Sequence, residues 1–376
     1  MRIYVHGYGG VSAAGSSAAE RECTLAGGVA RWTRDEQTGL PVYRVEELPR
    51  NPRIVGYTRD GRTDRTALLA LYAADSAVTM ADWAGREFSV LAGSSRGPTG
   101  NWESAHDIFQ RSDAVPPRTS PTTTLGHPAF VLADHFGVSR FATGLSVTCS
   151  SGFHALLQGV ALLRAGMAER VLVGGAEAPL TAFTLRQMAA LRIVAAVPTD
   201  DLPPCRPLYS PATGMALGEG AGFLALSTEP GPFELTGLGF AREATPSATG
   251  ITAAGEALLA AMRMATAAAG LPDFTVAHAP GTRAGDAAEL AAVKELYRGV
   301  GEDPVLTSYK WSTGHTLGAS GPLGLVMALE TLAQGKWYGL PYAPLRETPR
   351  ALGSALINAT GFGGNAVSVA VRRVLG

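Results

Sequence analysis

Short apolar runs rich in β-branched residues alternate along this chain with longer stretches whose apolar side chains recur every three or four positions. The first pattern predicts buried strands and the second predicts helices packed by one face. In the first half the strands are "RIYVHG", "FSVLAGS", "LSVTC", "RVLVGGAE" and "GFLALS". In the second half they are "ELTGLGF", "FTVAHA", "PVLTSYK", "SALINAT" and "AVSVAVRRV". Helices are predicted over 153–165 and 252–269, among others. This alternation defines an α/β protein. A Pro-rich passage, "STEPGPFE" at 227–234, divides the chain into halves 1–230 and 231–376. The segments "LSVTCSSGFHALLQGVALLRAG" and "TSYKWSTGHTLGASGPLGLVMALETLAQG" each read as a strand, a turn of small residues and an apolar helix ending at Gly. One such unit per half suggests a duplicated fold.

Composition narrows the function. At 376 residues the chain exceeds the size at which a single core stops growing, consistent with two halves. Hydrophobic residues make up 46% and charged residues 17%, as in a well-packed protein with buried sheets. The net charge of −1 gives no electrostatic pull toward nucleic acid or an anionic membrane. No apolar run approaches the ~20 residues that span a bilayer. The N-terminus enters a strand-like segment at once, so no signal peptide and a cytoplasmic location are expected. Three scattered cysteines, Cys23, Cys149 and Cys205, make neither a disulfide framework nor a zinc site, and no metal is expected.

One of them sits where chemistry is expected. Cys149 closes a β-rich run, and Phe153, Leu156, Leu157, Val160 and Leu163 then mark one face of a helix. A thiol at a helix N-terminus is predicted to have a lowered pKa and nucleophilic character. The competing reading is a buried structural cysteine. Lys310 ends a predicted strand, and His315 follows among small residues before another apolar helix, a place from which imidazole can work in a cleft. The glycine-rich "GFGG" at 361–364 offers backbone amides for an oxyanion. "GSSRG" at 93–97 also satisfies G-x-S-x-G, but Pro98-Thr99-Gly100 reads as a poor start for the helix a hydrolase elbow needs.

Together these segments resemble the β-ketoacyl synthases, condensing enzymes of the thiolase-fold superfamily. The resemblance runs through "TDRTALLALYAADSA" at 63–77, "VTCSSG" at 147–152, "VLVGGAEA" at 171–178, "CRPL" at 205–208 and "GMALGEGAG" at 214–222. It continues in "GDAAE" at 285–289, "SYKWSTGHTLGASG" at 308–321 and "NATGFGGN" at 358–365. It implies a thiolase-like fold with duplicated α/β halves layered α-β-α-β-α. It also implies that Cys149 takes an acyl chain from the phosphopantetheine arm of an acyl carrier protein, with no other cofactor. Phe362 would gate the nucleophile and share the oxyanion hole with the Cys149 amide. His315 matches the family's second active-site histidine and Lys310 its supporting lysine. Thr282 and Gly363 fall at substrate-binding positions, while Glu219, Asp286 and Glu289 fall at organising acidic ones. The family's dimeric habit implies a homodimer, or a heterodimer with a related ketosynthase subunit.

One stretch departs from the pattern. Aligned on Gly281-Thr282, "VAHAPGTRAGD" places Pro280 where the family has its first catalytic histidine in Ala-His-Gly-Thr, and Ala284 where it has a second threonine. Proline has neither N–H nor titratable group. His278 is expected to be packed, not a substitute, because two residues along a strand displace a side chain by ~6.5–7 Å. Tyr209 and "SPATG" at 210–214 depart as well. The resulting expectation is a Cys149 acyltransferase acting on carrier-protein thioesters, with decarboxylative condensation only where another group compensates for Pro280. The alternative is a non-catalytic subunit resembling a chain-length factor.

Overall fold

The structure, a computed structural model, describes residues 1–59, 63–244, 250–343 and 348–374. Its main sheet has ten strands. In the first half these are β1 (Ile3–Ser12), β2 (Ser89–Gly93), β3 (Ala142–Leu145), β4 (Arg170–Glu177) and β5 (Gly220–Ser227). In the second they are β6 (Phe233–Arg242), β7 (Phe274–Val276), β8 (Leu306–Thr307), β9 (Ser354–Gly361) and β10 (Asn365–Arg373). From the middle outward, the strand order is β1-β5-β4-β2-β3 on one side and β6-β10-β9-β7-β8 on the other. Each half has two antiparallel pairings followed by two parallel ones. The same connectivity drawn twice is the structural counterpart of the repeated strand–turn–helix unit. Residues 228–232 join β5 to β6, and Ile3–Val5 pair with Phe233–Leu235 to make the sheet continuous.

Helices cover both faces and fill the space between. Helix α1 (Arg65–Met80) covers the outer face of β1, β5 and β4, started by the Asp64 carboxylate accepting from the Thr66 amide. Helix α2 (Ser151–Arg164) lies against β2 and β4 on the inner face. Helix α3 (Glu256–Thr266) covers β6 and β10, with α4 (Arg283–Leu296) beside it. Helix α5 (Ser320–Gln334) packs against α2, β5 and β9, and every residue from Ser320 to Leu332 is buried. A helix apolar all round belongs in an interior layer. The resulting order is α-β-α-β-α.

The two central helices meet closely near their N-termini. A Cβ on Gly152 would lie 2.4 Å from Pro322 Cγ, and one on Gly321 would lie 2.9 Å from the Phe153 ring. Only glycine permits this approach. It brings the turn before α2 beside the turn before α5, and therefore Cys149 into the neighbourhood of His315. Among the described residues no helix is long and apolar enough to cross a membrane.

Candidate active site

A cavity of about 1060 Å³ opens where the two halves meet. Thr148 and Cys149 line it from the first half, and His278, Pro280, Thr282, His315 and Phe362 line it from the second. It lies beyond the C-terminal ends of parallel strands, where the loops of open α/β sheets gather their ligands.

Cys149 stands in a turn rather than at the end of a strand: β3 stops at Leu145, and α2 begins at Ser151. The turn is tightly pinned. Ser151 Oγ accepts from the Val147 amide at 2.8 Å and donates to the Thr148 carbonyl at 2.5 Å. Thr148 holds φ at +50°, a costly conformation for a β-branched residue. Its hydroxyl donates to the Phe362 carbonyl at 3.2 Å, tying the Cys149 turn to the glycine-rich one. Leu317, two residues beyond His315, also has positive φ, at +41°. Strained backbone thus flanks the cavity on two sides.

The thiol is not the ready thiolate predicted from its helix. Burial pushes Cys149 up to about 12, and the Glu177 carboxylate reinforces the shift, against Lys310, Arg96 and the residue's own amide. Desolvation disfavours the charged form more strongly than one helix terminus favours it. The resting group is a thiol, so it could act as a nucleophile only with a proton acceptor close by.

Two neutral imidazoles are present. His315 Nδ1 accepts the Leu317 amide at 3.1 Å and lies 3.0 Å from Ser320 Oγ, so the neutral ring carries its proton on Nε2. The His278 ring meets the His315 ring edge-on, with centroids 5.2 Å apart and planes at 79°. Burial, then the charge of Lys310, holds both well below the usual histidine range, and the His315 ring lowers His278 further. Among the described residues His278 Nδ1 is buried without a partner.

The position of His278 corrects the sequence reading. The imidazole facing His315 belongs to His278, and Pro280 is a neighbouring wall residue, not the vacated place of a histidine. The strand-based displacement argument fails because β7 ends at Val276 and residues 277–280 have left the strand. The cause is local. Glu289 accepts the His278 amide at 2.9 Å and the Ala279 amide at 2.6 Å, replacing a strand ladder with a carboxylate. Asn358 donates to the same carboxylate at 3.0 Å. The signal was in the chain: Ala277-His278-Ala279-Pro280 follows Ala-His-Gly-Thr two residues earlier, with alanine at the glycine and proline at the threonine.

Lys310 also differs from expectation. It opens a helical turn, Lys310–Thr313, instead of ending a strand. Its ammonium donates to the His278 carbonyl and is absent from the cavity wall. Its role in the geometry is to hold the histidine segment from behind. Burial lowers its pKa, opposed chiefly by Glu289.

The remaining expected residues divide. Phe362 and Thr282 line the cavity. Gly363 does not; it holds φ +84° in the turn, and its carbonyl accepts the Arg242 guanidinium at 3.0 Å. Asp286 accepts the Leu208 and Gly281 amides at 2.7 and 2.9 Å, and burial pushes it up to about 6. Glu219 is buried away from the cavity, bonded to Arg65 and the Val45 amide. Tyr209 packs edge-on against Tyr342. Contrary to expectation, a helix, Thr99–Ser112, does start after Pro98, and its Trp102 and Glu103 join the cavity wall. Among the described residues no three His, Cys, Asp or Glu side chains gather as metal ligands.

Comparison with known proteins agrees with this arrangement. Residues 19–230 match the model of the β-ketoacyl synthase N-terminal domain, and residues 233–340 match that of its C-terminal domain. The chain belongs to the β-ketoacyl synthase family, and its fold is thiolase-like. Nodulation protein E of Rhizobium sp. (strain N33) is 30% identical over 231 residues, covering 58% of this chain and only 54% of that protein. The 3-oxoacyl-[acyl-carrier-protein] synthase 2 of Staphylococcus aureus (strain N315) is 27% identical, covering 98% of this chain and 97% of its own. A ketosynthase in complex with its chain length factor, from Xenorhabdus doucetiae, shares the fold with a TM-score of 0.84 and 24% identity, covering 99% of this chain and 98% of that one.

Proposed function

We propose that this chain is a catalytically equipped ketosynthase that loads an acyl group onto Cys149 and condenses it with a malonyl-type thioester. The observation that carries this reading is the convergence of Cys149, His278 and His315 on one cavity.

In the first half-reaction the Cys149 sulfur attacks the thioester carbonyl of an acyl carrier protein. Its proton passes to a neutral imidazole and on to the departing phosphopantetheine thiol, leaving acyl-Cys149. The Cys149 and Phe362 amides serve the tetrahedral oxyanion. In the second, the C–C bond to the β-carboxylate of a malonyl thioester breaks, releasing CO₂ and leaving an enolate. Nε2–H of His315, with the His278 ring beside it, donates to the enolate oxygen. The carbanion attacks the acyl-Cys149 carbonyl and expels the thiolate, which takes up one proton from solvent and restores the thiol. The product is a β-ketoacyl thioester on the carrier. No resident cofactor enters either step.

Trp102, Leu125, Phe183, Met188, Leu191 and Ile193 give the cavity an apolar wall suited to an acyl chain. Trp102, Leu125 and Phe183 are 53%, 46% and 59% exposed, so that side is open in a lone chain. Among the described residues, strand β3 nearby is the outer edge of the sheet and pairs only with β2. These features support a second chain at that edge, either another copy or a related ketosynthase subunit. The alternative of a non-catalytic subunit drew on a missing histidine, and the placement of His278 beside His315 supports the catalytic reading over it.

The test is intact-mass measurement after incubation with an acyl-loaded carrier protein. The protein should gain one acyl mass, and Cys149→Ala should gain none. No adduct on the native protein, or an equal adduct on the variant, would contradict the assignment.

A further inference from the structure

The strand β4 ends on Glu177, which is fully buried and takes no part in the steps above. Its Oε1 is crowded with donors. It accepts from Ser94 Oγ at 2.8 Å, from the Ser95 amide, and from the Arg96 amide at 3.3 Å. Ser94 Oγ also accepts the Gly97 amide at 2.9 Å. One carboxylate oxygen therefore folds the turn after β2, and Ser95 and Arg96 of that turn line the cavity. The turn is anchored outward as well: the Arg96 guanidinium donates to Gln187 at 2.6 Å, and the Ser95 carbonyl accepts from Ser146 Oγ at 3.1 Å.

The same carboxylate lies beneath the histidine side of the site. A Cβ on Gly318, in the turn that follows His315, would lie 2.7 Å from the Ser95 nitrogen, 3.0 Å from Glu177 Oε1 and 3.1 Å from Ser151 Cβ. Three pieces meet there: the cavity-wall turn, the turn carrying His315 and the start of the nucleophile helix. Glu177 Oε2, by contrast, is buried with no partner among the described residues. A buried carboxylate oxygen without a donor is costly and calls for a reason.

We propose that Glu177 is a positioning residue that shapes the Ser94–Gly97 wall of the cavity and, through its charge, sets the reactivity of the Cys149 thiol. The electrostatics agree with the geometry. After burial, Glu177 is the largest influence raising the Cys149 thiol. Burial in turn pushes the Glu177 carboxyl up to about 7, against its bonds to Ser94, Ser95 and Arg96 and the charge of Arg96. Among the described residues, Arg96 and Cys149 are the charged and titratable groups that bear on it. The turn after His315 presents the backbone of Gly318, β2 ends in Gly93, and the paired residue of β5 is Gly220.

The sign follows. Below pH 7 Glu177 is neutral, and the thiolate fraction of Cys149 grows tenfold with each pH unit. As Glu177 ionises, its charge holds the proton on sulfur more firmly and the growth slackens. Above that window the tenfold rise resumes on a lower line.

The inference builds on Cys149 as the acylated thiol, but its test needs no acyl transfer. Alkylation of Cys149 by iodoacetamide is followed by peptide mapping from pH 5.5 to 9.5, with Cys23 as internal control. The native protein should show a shoulder near pH 7, with the limb above it displaced to slower alkylation than the limb below it predicts. Glu177→Gln keeps an acceptor but no charge, so a folded variant should give one straight limb, faster than the native protein above pH 7. Ser94→Ala removes a donor that favours the ionised carboxylate, so the shoulder should move to higher pH. A straight native profile would overturn the proposal, as would a shoulder retained in folded Glu177→Gln or unmoved in Ser94→Ala. Loss of acyl loading with the shoulder intact would instead contradict the acyl-transfer reading and leave this one standing.

Discussion

Cys149 and His278 show from opposite sides how much a residue's chemistry depends on neighbours outside its own element. Position at a strand-to-helix turn was legible for Cys149 from the apolar spacing of Phe153 to Leu163. The protonation state was not, because it follows from burial by segments far away in sequence, including Glu177. His278 was visible but placed in the wrong register, since Gly281-Thr282 offered a convincing match two residues too late. What decides the register is the Glu289 carboxylate on the His278 and Ala279 amides, a contact between residues ten and eleven apart. A consequence for labelling reverses the simple expectation for a helix-terminal thiol. Cys23 is exposed, whereas Cys149 and Cys205 are buried with thiols pushed up to about 12. Brief iodoacetamide treatment at pH 7.5 should therefore modify Cys23 first, as read by peptide mapping. Preferential labelling of Cys149 would mean that the helix terminus outweighs burial.

Elements were predicted best where one pattern governs a whole segment. "RVLVGGAE" corresponds residue for residue to β4, and α5 was evident from its unbroken apolar character. The failures lie at the site. The predicted strand "FTVAHA" is cut to Phe274–Val276 where side-chain acceptors capture the following amides, and "PVLTSYK" contributes only Leu306–Thr307 before its backbone turns at Lys310. Local propensity cannot report such competition, since the capturing groups come from other elements. The central helix pair gives a prediction at this scale. Gly152→Ala would place a methyl 2.4 Å from Pro322 Cγ and 2.7 Å from the Gly318 carbonyl. Overpacking of that kind costs about 1–3 kcal/mol. The denaturation midpoint should fall, and acyl loading should fall more steeply than stability, because the wedge separates the Cys149 turn from the His315 turn. Loading that survives intact in a destabilised variant would contradict this coupling.

At the scale of the whole molecule, duplication supplies the site: one half brings the thiol, the other both imidazoles, and their seam forms the cavity. The halves were legible from repeated strand–turn–helix segments, but their pairing through Ile3–Val5 and Phe233–Leu235 was not. The open edge at β3 bears on assembly. Phe130 and Phe141 lie beside it and are each 49% exposed. Sedimentation should show a dimer, alone or with a co-expressed ketosynthase, and the double variant Phe130→Glu, Phe141→Glu should shift it to monomer. A native protein that is monomeric under both conditions would contradict the proposed assembly. The central claim is that Cys149, His278 and His315 form a complete condensing site despite Pro280. Its most direct measurement is labelled CO₂ release from malonyl-carrier protein by acyl-loaded enzyme, comparing the native chain with His278→Ala and Pro280→Ala. Release should be readily detected for the native protein, fall ~10²–10³-fold in His278→Ala and stay within a few-fold in Pro280→Ala. No release from the native protein, or equal release from His278→Ala, would contradict the account.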